Sequence, residues 1–425
     1  MTRTFIPLII ALVLGVVSPA AAQSADALVN SIITNAKFKD ATAFLERDQD
    51  RFVRELITLT EIPAPPFKEK ARAAAYLDLL RGLGLSEVEM DAEGNVMGIR
   101  RGTDIAADTP MLAVLAHLDT VFPEGTDVKV KRDGTKLMAP GVGDDTRGLA
   151  LVLSLIRAMD AAKFQTPKNI LFVGNVGEEG EGDLRGVKYL LQKGKYKDRI
   201  KAFISIDGGV QGPIVNGALG SKRYRVTFKG PGGHSYNAFG LVSPAFAMAN
   251  AMAKFSRVTV PAKPKTTFNV GVVGGGTSVN SIPTEMFMDV DMRSESPGEL
   301  NKLVTSFQAI IREAVDEENR TRSTTEGKVG ADVKLIGDRP SGETAVSSPL
   351  VQSTTAAVKA FGLTPSYGIG STDSNIPISL GIPAVTIGRG NSARSHALDE
   401  WVDVEKQSSV KAAQVALTII LTAAQ

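Results

Sequence analysis

Four short, nearly continuous apolar runs mark the chain: Met111 to Ala116, Ile170 to Val176, Ala202 to Ile206 and Ile382 to Ile387. Runs of this length and density predict strands buried on both faces, as in a parallel sheet. Between the first two, Thr146 to Lys163 repeats apolar residues at Leu149, Leu153, Ile156 and Met159, the spacing of a helix stripe. Phe52 to Thr60 and Lys68 to Leu83 carry the same period, separated by the Pro-rich turn Ile62 to Pro66. Residues 23–48 are polar and Ala-rich and predict a short leading helix. Strands alternating with helices predict an α/β fold built on a layered, mostly parallel sheet.

The middle of the chain follows another rhythm. Lys222 to Lys229 alternates, with Tyr224, Val226 and Phe228 on one face; Pro244 to Phe255 has helical spacing. Phe268 to Val273 and Glu285 to Arg293 read as strands, Leu300 to Val315 as a helix, and Lys328 to Ile336 as a last strand. That order, β-α-β-β-α-β, is ferredoxin-like. It predicts an α+β lid, residues 219–336, inserted into a catalytic domain assembled from residues 23–218 and 337–425.

The first residues stand apart. Arg3, the apolar run Phe5 to Val17, the break at Ser18-Pro19 and the small residues Ala20 to Ala22 predict an export signal over residues 1–22. The run is shorter than the ~20 residues of a spanning helix. The mature protein is therefore expected in the periplasm or secreted, without membrane association. With 48 basic and 46 acidic residues the formal charge is +2, and no Lys/Arg stripe suggests nucleic acid as a partner. The absence of cysteine removes disulfides, thiolate nucleophiles and Cys metal sites. Any metal must sit on carboxylates and the three histidines, His117, His234 and His396.

Their surroundings carry the candidate chemistry. His117-Leu118-Asp119 directly follows the first apolar run, where open α/β sheets bind ligands. Asp119 could orient the His117 ring. Asp144 and Asp145 lie in a Gly-rich loop opening the 146–163 helix; taken alone, Asp144 reads as an N-cap. Glu178-Glu179 follows the second run, and Asp207 the third; each alone is an ordinary strand end. His396 lies in a polar loop after the fourth. Together they form a His/carboxylate set suited to Zn²⁺, and also to Co²⁺ or Mn²⁺. Five ligands and one remaining Glu match two bridged divalent metal ions and a general base.

His117-x-Asp119, Gly-x-x-Asp144-Asp145, Glu178-Glu179, Asp207, Gly-His234-Ser and the late His396 resemble, in order, metallopeptidase family 20. This is the dinuclear zinc family of peptidase T, glutamate carboxypeptidase, acetylornithine deacetylase and aminoacylase. The resemblance covers nearly all of residues 50–420 and implies a catalytic domain interrupted by a ferredoxin-like lid. It also implies roles. Asp144 would bridge both metals, His117 and Asp207 would bind one, and Glu179 and His396 the other. Glu178 would be the general base. His234 would reach a neighbouring subunit's site and stabilise the oxyanion, which implies a homodimer through the lid. Asn280 and Arg293 would hold a substrate carboxylate, a task that suits the planar guanidinium. Thr372, in Gly370-Ser-Thr-Asp373, and the backbone at Gly388 resemble parts of the substrate pocket.

Two positions depart from the family pattern. Thr146-Arg147 stands where Lys is common, and Ser-Tyr-Asn-Ala-Phe follows His234 where Pro is common. Neither touches a predicted ligand; both bear on specificity. No Gly-x-Ser-x-Gly elbow supports a serine hydrolase, and no G-x-G-x-x-G between strand and helix supports a nucleotide oxidoreductase. A non-catalytic binding protein of this fold should have lost ligands or base, and here all are present. The expected activity is exopeptidase cleavage of a small peptide, the alternative deacylation of an N-acyl amino acid.

Overall fold

The computed structural model describes residues 24–425 except 105 and 107. The export signal expected over residues 1–22 lies outside the described residues.

The four apolar runs form neighbouring strands at the centre of a nine-stranded sheet. In spatial order these are Asn169–Asn175, Met111–His117, Ile200–Gly208 and Ala384–Gly388, paired parallel throughout. Antiparallel strands flank this centre: Val96–Arg100 and Ser86–Met90 on one side, Pro213–Ala218 and Gly342–Glu343 on the other. Ser366–Gly370 joins parallel to Pro213–Ala218. The apolar runs are continuous because both faces are covered. Leu112, Val114 and Ala116 pack with Ile170 and Phe172 on one side. Met111, Ala113 and Leu115 pack with Leu171 and Val173 on the other. Each fully buried Leu, Val, Ile, Met or Phe side chain here contributes about 1.5–3 kcal/mol.

The helix Thr146–Ala161 is wider in its burial than the predicted stripe. Leu151, Val152 and Leu155 are buried as well as Leu149, Leu153, Ile156 and Met159. It is covered by the sheet on one side and by the helix Ala36–Thr60 on the other. Inside that second contact Arg157 pairs with Asp48 (2.6 Å) and Glu55 (2.9 Å). The short leading helix expected in residues 23–48 is Ala25–Ile33, but the segment after it differs from expectation. Asn35 caps a single 25-residue helix, Ala36–Thr60, which absorbs what read as a separate helix over 52–60.

In the lid, strands Thr266–Gly275, Glu285–Ser294, Gly220–Lys229 and Gly330–Arg339 form an antiparallel sheet in that spatial order. Helices Pro244–Phe255 and Pro297–Thr321 cover one face, burying Val226, Phe228, Met288 and Val290 against Phe255 and Phe307.

Because the four central strands are parallel, their carboxyl ends share one edge of the large sheet. His117 ends one strand, Glu178 and Glu179 follow the next, Asp207 lies near the end of the third, and Gly388 ends the fourth. The topology alone thus collects distant segments at one edge.

Candidate metal centre

Asp144 stands between two imidazoles. Its Oδ1 is 3.0 Å from His117 Nε2 and its Oδ2 is 3.5 Å from His396 Nε2. His396 Nε2 also lies 2.8 Å from Glu179 Oε1, and His117 Nε2 lies 3.7 Å from Asp207 Oδ1. Ligand atoms of His117, Asp144 and Glu179 fall within 4.8 Å of one another, as do those of His117, Asp145 and Asp207. Two ligands on a tetrahedral Zn²⁺, each about 2.0–2.1 Å from it, are ~3.3 Å apart. The donor set and its spacing therefore fit divalent cations.

Supporting contacts orient these groups. His117 Nδ1 is 3.0 Å from the Asp119 carbonyl and 3.6 Å from its carboxylate. The Asp119 carboxylate accepts the backbone N–H groups of Glu178 (3.0 Å) and Glu179 (2.7 Å). One buried carboxylate thereby ties the His117 strand end to both glutamates. The N-cap position of the 146–161 helix is Asp145, and it makes no side-chain capping bond. Its Oδ2 instead accepts from the His117 N–H (3.1 Å), and its Oδ1 is buried without a hydrogen-bond partner. The Gly-rich loop is therefore directed at the centre rather than spent on capping.

Buried carboxylates crowd together here, and two guanidiniums enter among them. Arg389 Nη1 lies 2.6 Å from Asp207, 3.5 Å from Asp144 and 3.6 Å from Asp145. Arg339 Nη1 donates to Glu178 Oε1 and to Ser371 Oγ, both at 3.0 Å, and Nη2 donates to the Glu178 carbonyl. Burial pushes the Glu178 carboxyl well above the usual range; Arg339 opposes this and Glu179 adds to it. Burial works against ionised Asp144, yet Arg389 and His117 hold its carboxyl below the ordinary value. Burial pushes Asp373 up to about 7, and its Oδ2 accepts from Asn175 Nδ2 (2.8 Å). For His396 the hydrogen bond to Glu179 raises the ring to about 8.

The other predicted residues are placed less centrally. His234 is exposed on the lid, and its Nδ1 accepts from the N–H of Tyr236 (3.2 Å). No hydrogen bond or ion pair links it to the acidic cluster of its own chain among the described residues. Asn280 is exposed and accepts from Ser278 Oγ (2.6 Å). Arg293 pairs with its neighbour Asp291 at 2.7 Å. Thr372 shares a hydrogen bond with Thr386 (2.8 Å), and the Gly388 carbonyl accepts from Gln211. Arg339, Arg389 and Glu400 have contacts at this centre that sequence reasoning missed. A signal existed for the first two, since each arginine sits at a strand end facing residues already suspected.

Fold and site together define a metallohydrolase with a carboxylate/histidine centre at the strand ends of an α/β sheet. The family model "Peptidase family M20/M25/M40" matches residues 113–422, and the chain belongs to that family. Among curated proteins it is 24% identical over 362 residues to succinyl-diaminopimelate desuccinylase of Corynebacterium glutamicum, covering 83% of this chain and 92% of that protein. Aminopeptidase PepT of Bacillus cereus shares the fold, with TM-score 0.70 and 23% identity over 89% of this chain and 99% of that one. Human carnosine dipeptidase 1 does so with TM-score 0.70 and 13% identity, covering 91% and 100%.

Proposed function

We propose that this protein is a dinuclear exopeptidase that hydrolyses a terminal amide bond of small peptides. The observation that carries this reading is the position of Asp144, with one carboxylate oxygen toward each of two imidazoles. His117 and Asp207 would hold one divalent ion, Glu179 and His396 the other, with Asp144 shared; zinc suits the donor set best. Bound there, two such ions lower the pKa of water and polarise a carbonyl.

The chain's own residues supply the proton traffic. Glu178 is buried with its carboxyl pushed above the usual range, a state suited to taking a proton near neutrality. It accepts the proton of the attacking water and returns it to the leaving amine. Arg339 holds Glu178 through its Oε1 and its carbonyl, which fixes where that proton is delivered. Asp119 fixes both glutamates from behind through their N–H groups.

Arg293, Asn280, Thr372 and Gly388 remain the proposed substrate contacts. His234 serves a partner copy in a homodimer through the lid. Its exposure, and that of Tyr236, Phe239 and Val279, supports a surface that a second subunit covers. Residues 1–22 are proposed as the export signal of a periplasmic or secreted protein. Similarity to aminopeptidase PepT and carnosine dipeptidase 1 supports the peptidase reading. Similarity to the desuccinylase along most of its length supports deacylation of an N-acyl amino acid as the second.

A panel of dipeptides, tripeptides, N-blocked peptides and N-acyl amino acids, assayed with Zn²⁺ or Co²⁺ and again with chelator, tests this. Chelator-sensitive cleavage of free peptides is expected. Turnover of acyl amino acids alone would move the protein to the second reading, and no turnover despite bound metal would remove both.

A further inference from the structure

His396 is carried by a hairpin rather than by a strand of the central sheet. Ser392 pairs with Val402 and Ala393 with Trp401, and His396 lies in the turn between them. Its φ is 68° and its side chain is 55% exposed. A metal ligand must be held within about 0.5 Å of its working position. An exposed turn has little packing of its own to do this; Arg389 Nη2 reaches Ser395 Oγ beside it (3.2 Å), and the hairpin's two arms supply further constraint.

Both arms are gripped by buried charged side chains. Arg147, in the first turn of the helix that follows Asp144, is almost fully buried. It donates to the carbonyls of Arg389 (3.0 Å) and Asn391 (2.9 Å) on one arm and Asp403 (2.7 Å) on the other. Glu400 reaches in the opposite direction. Its carboxylate accepts the N–H groups of Gly141 (2.8 Å), Gly143 (2.9 Å) and Asp144 (2.7 Å). Two glycines make room for this. A Cβ on Gly143 would stand 2.7 Å from Glu400 Oε1, and one on Gly390 2.6 Å from Arg147 Nη2. The Asp144 segment thus holds the hairpin through Arg147, and the hairpin holds the Asp144 segment through Glu400.

We propose that Arg147 and Glu400 are positioning residues. They form a crossed brace that sets the separation between Asp144 and His396 and so maintains the Glu179/His396 half of the metal centre. Neither side chain is itself a ligand. The inference rests on the dinuclear reading above and adds to it the device that makes an exposed histidine a usable ligand.

Co²⁺ titration of the full chain, followed by visible absorption and by metal content after dialysis, tests the brace. In Arg147→Met and Glu400→Gln the first ion, which keeps buried His117 and Asp207 beside the shared Asp144, should lose less affinity than the second. The second should bind about 10–100-fold more weakly, the usual cost of removing a supporting contact, with an altered absorption band. Excess Co²⁺ should then restore kcat with little change in KM. A folded variant that binds both ions with unaltered affinity overturns the proposal. Should either variant fail to fold, Arg147→Lys and Glu400→Asp keep the charge but not the geometry; selective weakening of the second ion supports the brace and an unchanged titration overturns it. An unaltered protein that binds no metal is a distinguishable result: it defeats the dinuclear reading first and the brace with it.

Discussion

The two imidazoles of the centre are held in opposite ways. His117 ends a strand buried on both faces, its side chain 1% exposed, and it faces Asp119, Asp144 and Asp207. His396 stands in a hairpin turn, 55% exposed, and faces Glu179 and Asp144. One half of the centre is therefore part of the core, and its geometry is set by folding. The other half is added from a loop and depends on contacts made elsewhere. Strand ends give precise, costly positions; loops give accessible ones that substrate can approach. Asp144 belongs to both halves, which explains why its loop is restrained from so many directions.

The largest expected effect lies outside that comparison and calibrates it. Glu178→Gln should lower kcat by roughly 10²–10⁴-fold while both ions stay bound, because Glu178 is placed to move a proton and not to hold metal. Loss of metal in that variant would show that Glu178 belongs to the ligand set. The contrast between the halves is then tested by His117→Ala and His396→Ala in the metal-free protein. Removing His117 takes one partner from each of the buried carboxylates Asp144 and Asp119, a class of change that costs up to about 3–5 kcal/mol. Denaturant unfolding should register it clearly. Above about pH 8, where the His396 ring is neutral, removing this exposed side chain should leave metal-free stability almost unchanged while weakening the second ion. Equal destabilisation by the two variants would break the distinction between a core half and a loop half.

What the sequence conveyed follows the same division. The strands that end at or near His117, Glu178 and Asp207 were readable because burial on both faces forces continuous apolar runs. The ferredoxin-like order of the lid was readable because its strands alternate over a single covered face. Flanking strands such as Pro213–Ala218 and Ser366–Gly370 contain glycine or polar residues and lack such a run, so they did not declare themselves. The helix Lys406–Ala423 is buried around most of its circumference and shows no polar stripe to set its period. Within the site, acids and histidines at strand ends announced themselves by residue type. Arg147 showed only as a departure from the family pattern, Arg339 and Arg389 only through their places at strand ends, and Glu400 not at all, because an arginine or glutamate reads as a solvated surface residue until the fold brings it inside. The lid residues His234, Asn280 and Arg293 were reached through resemblance alone; in one chain their side chains make only local bonds, while backbone pairing of His234 with Ser281 and of Ser235 with Asn280 brings two of them together.

The smallest effect, and the one that separates the halves most finely, is on pH. The Glu179 hydrogen bond raises His396 from 6.5 to about 8. A raised histidine pKa means that the protonated ring stabilises the metal-free fold. That contribution is fully present below the unfolded value near 6.5 and is lost as pH rises through about 8. A metal requires the neutral ring, so the ion at Glu179/His396 must displace this proton, and its affinity should climb with pH up to about 8 and then level. At His117 burial opposes protonation, but Asp119, Asp144 and Asp207 outweigh it and raise the ring well above its ordinary value. His117 is buried among three carboxylates whereas His396 is half exposed beside two, so the two rings titrate in different surroundings and the two ions should show different pH windows. Calorimetric titration with Co²⁺ between about pH 6 and 9, in buffers of different ionisation enthalpy, counts the protons released at each step. Proton release at the second ion should fade above about pH 8 and vanish in His396→Gln, while release at the first keeps its own pH profile in that variant. Two ions with one common pH profile would mean that the exposed histidine does not titrate apart from the buried one, and that the centre behaves as a single unit.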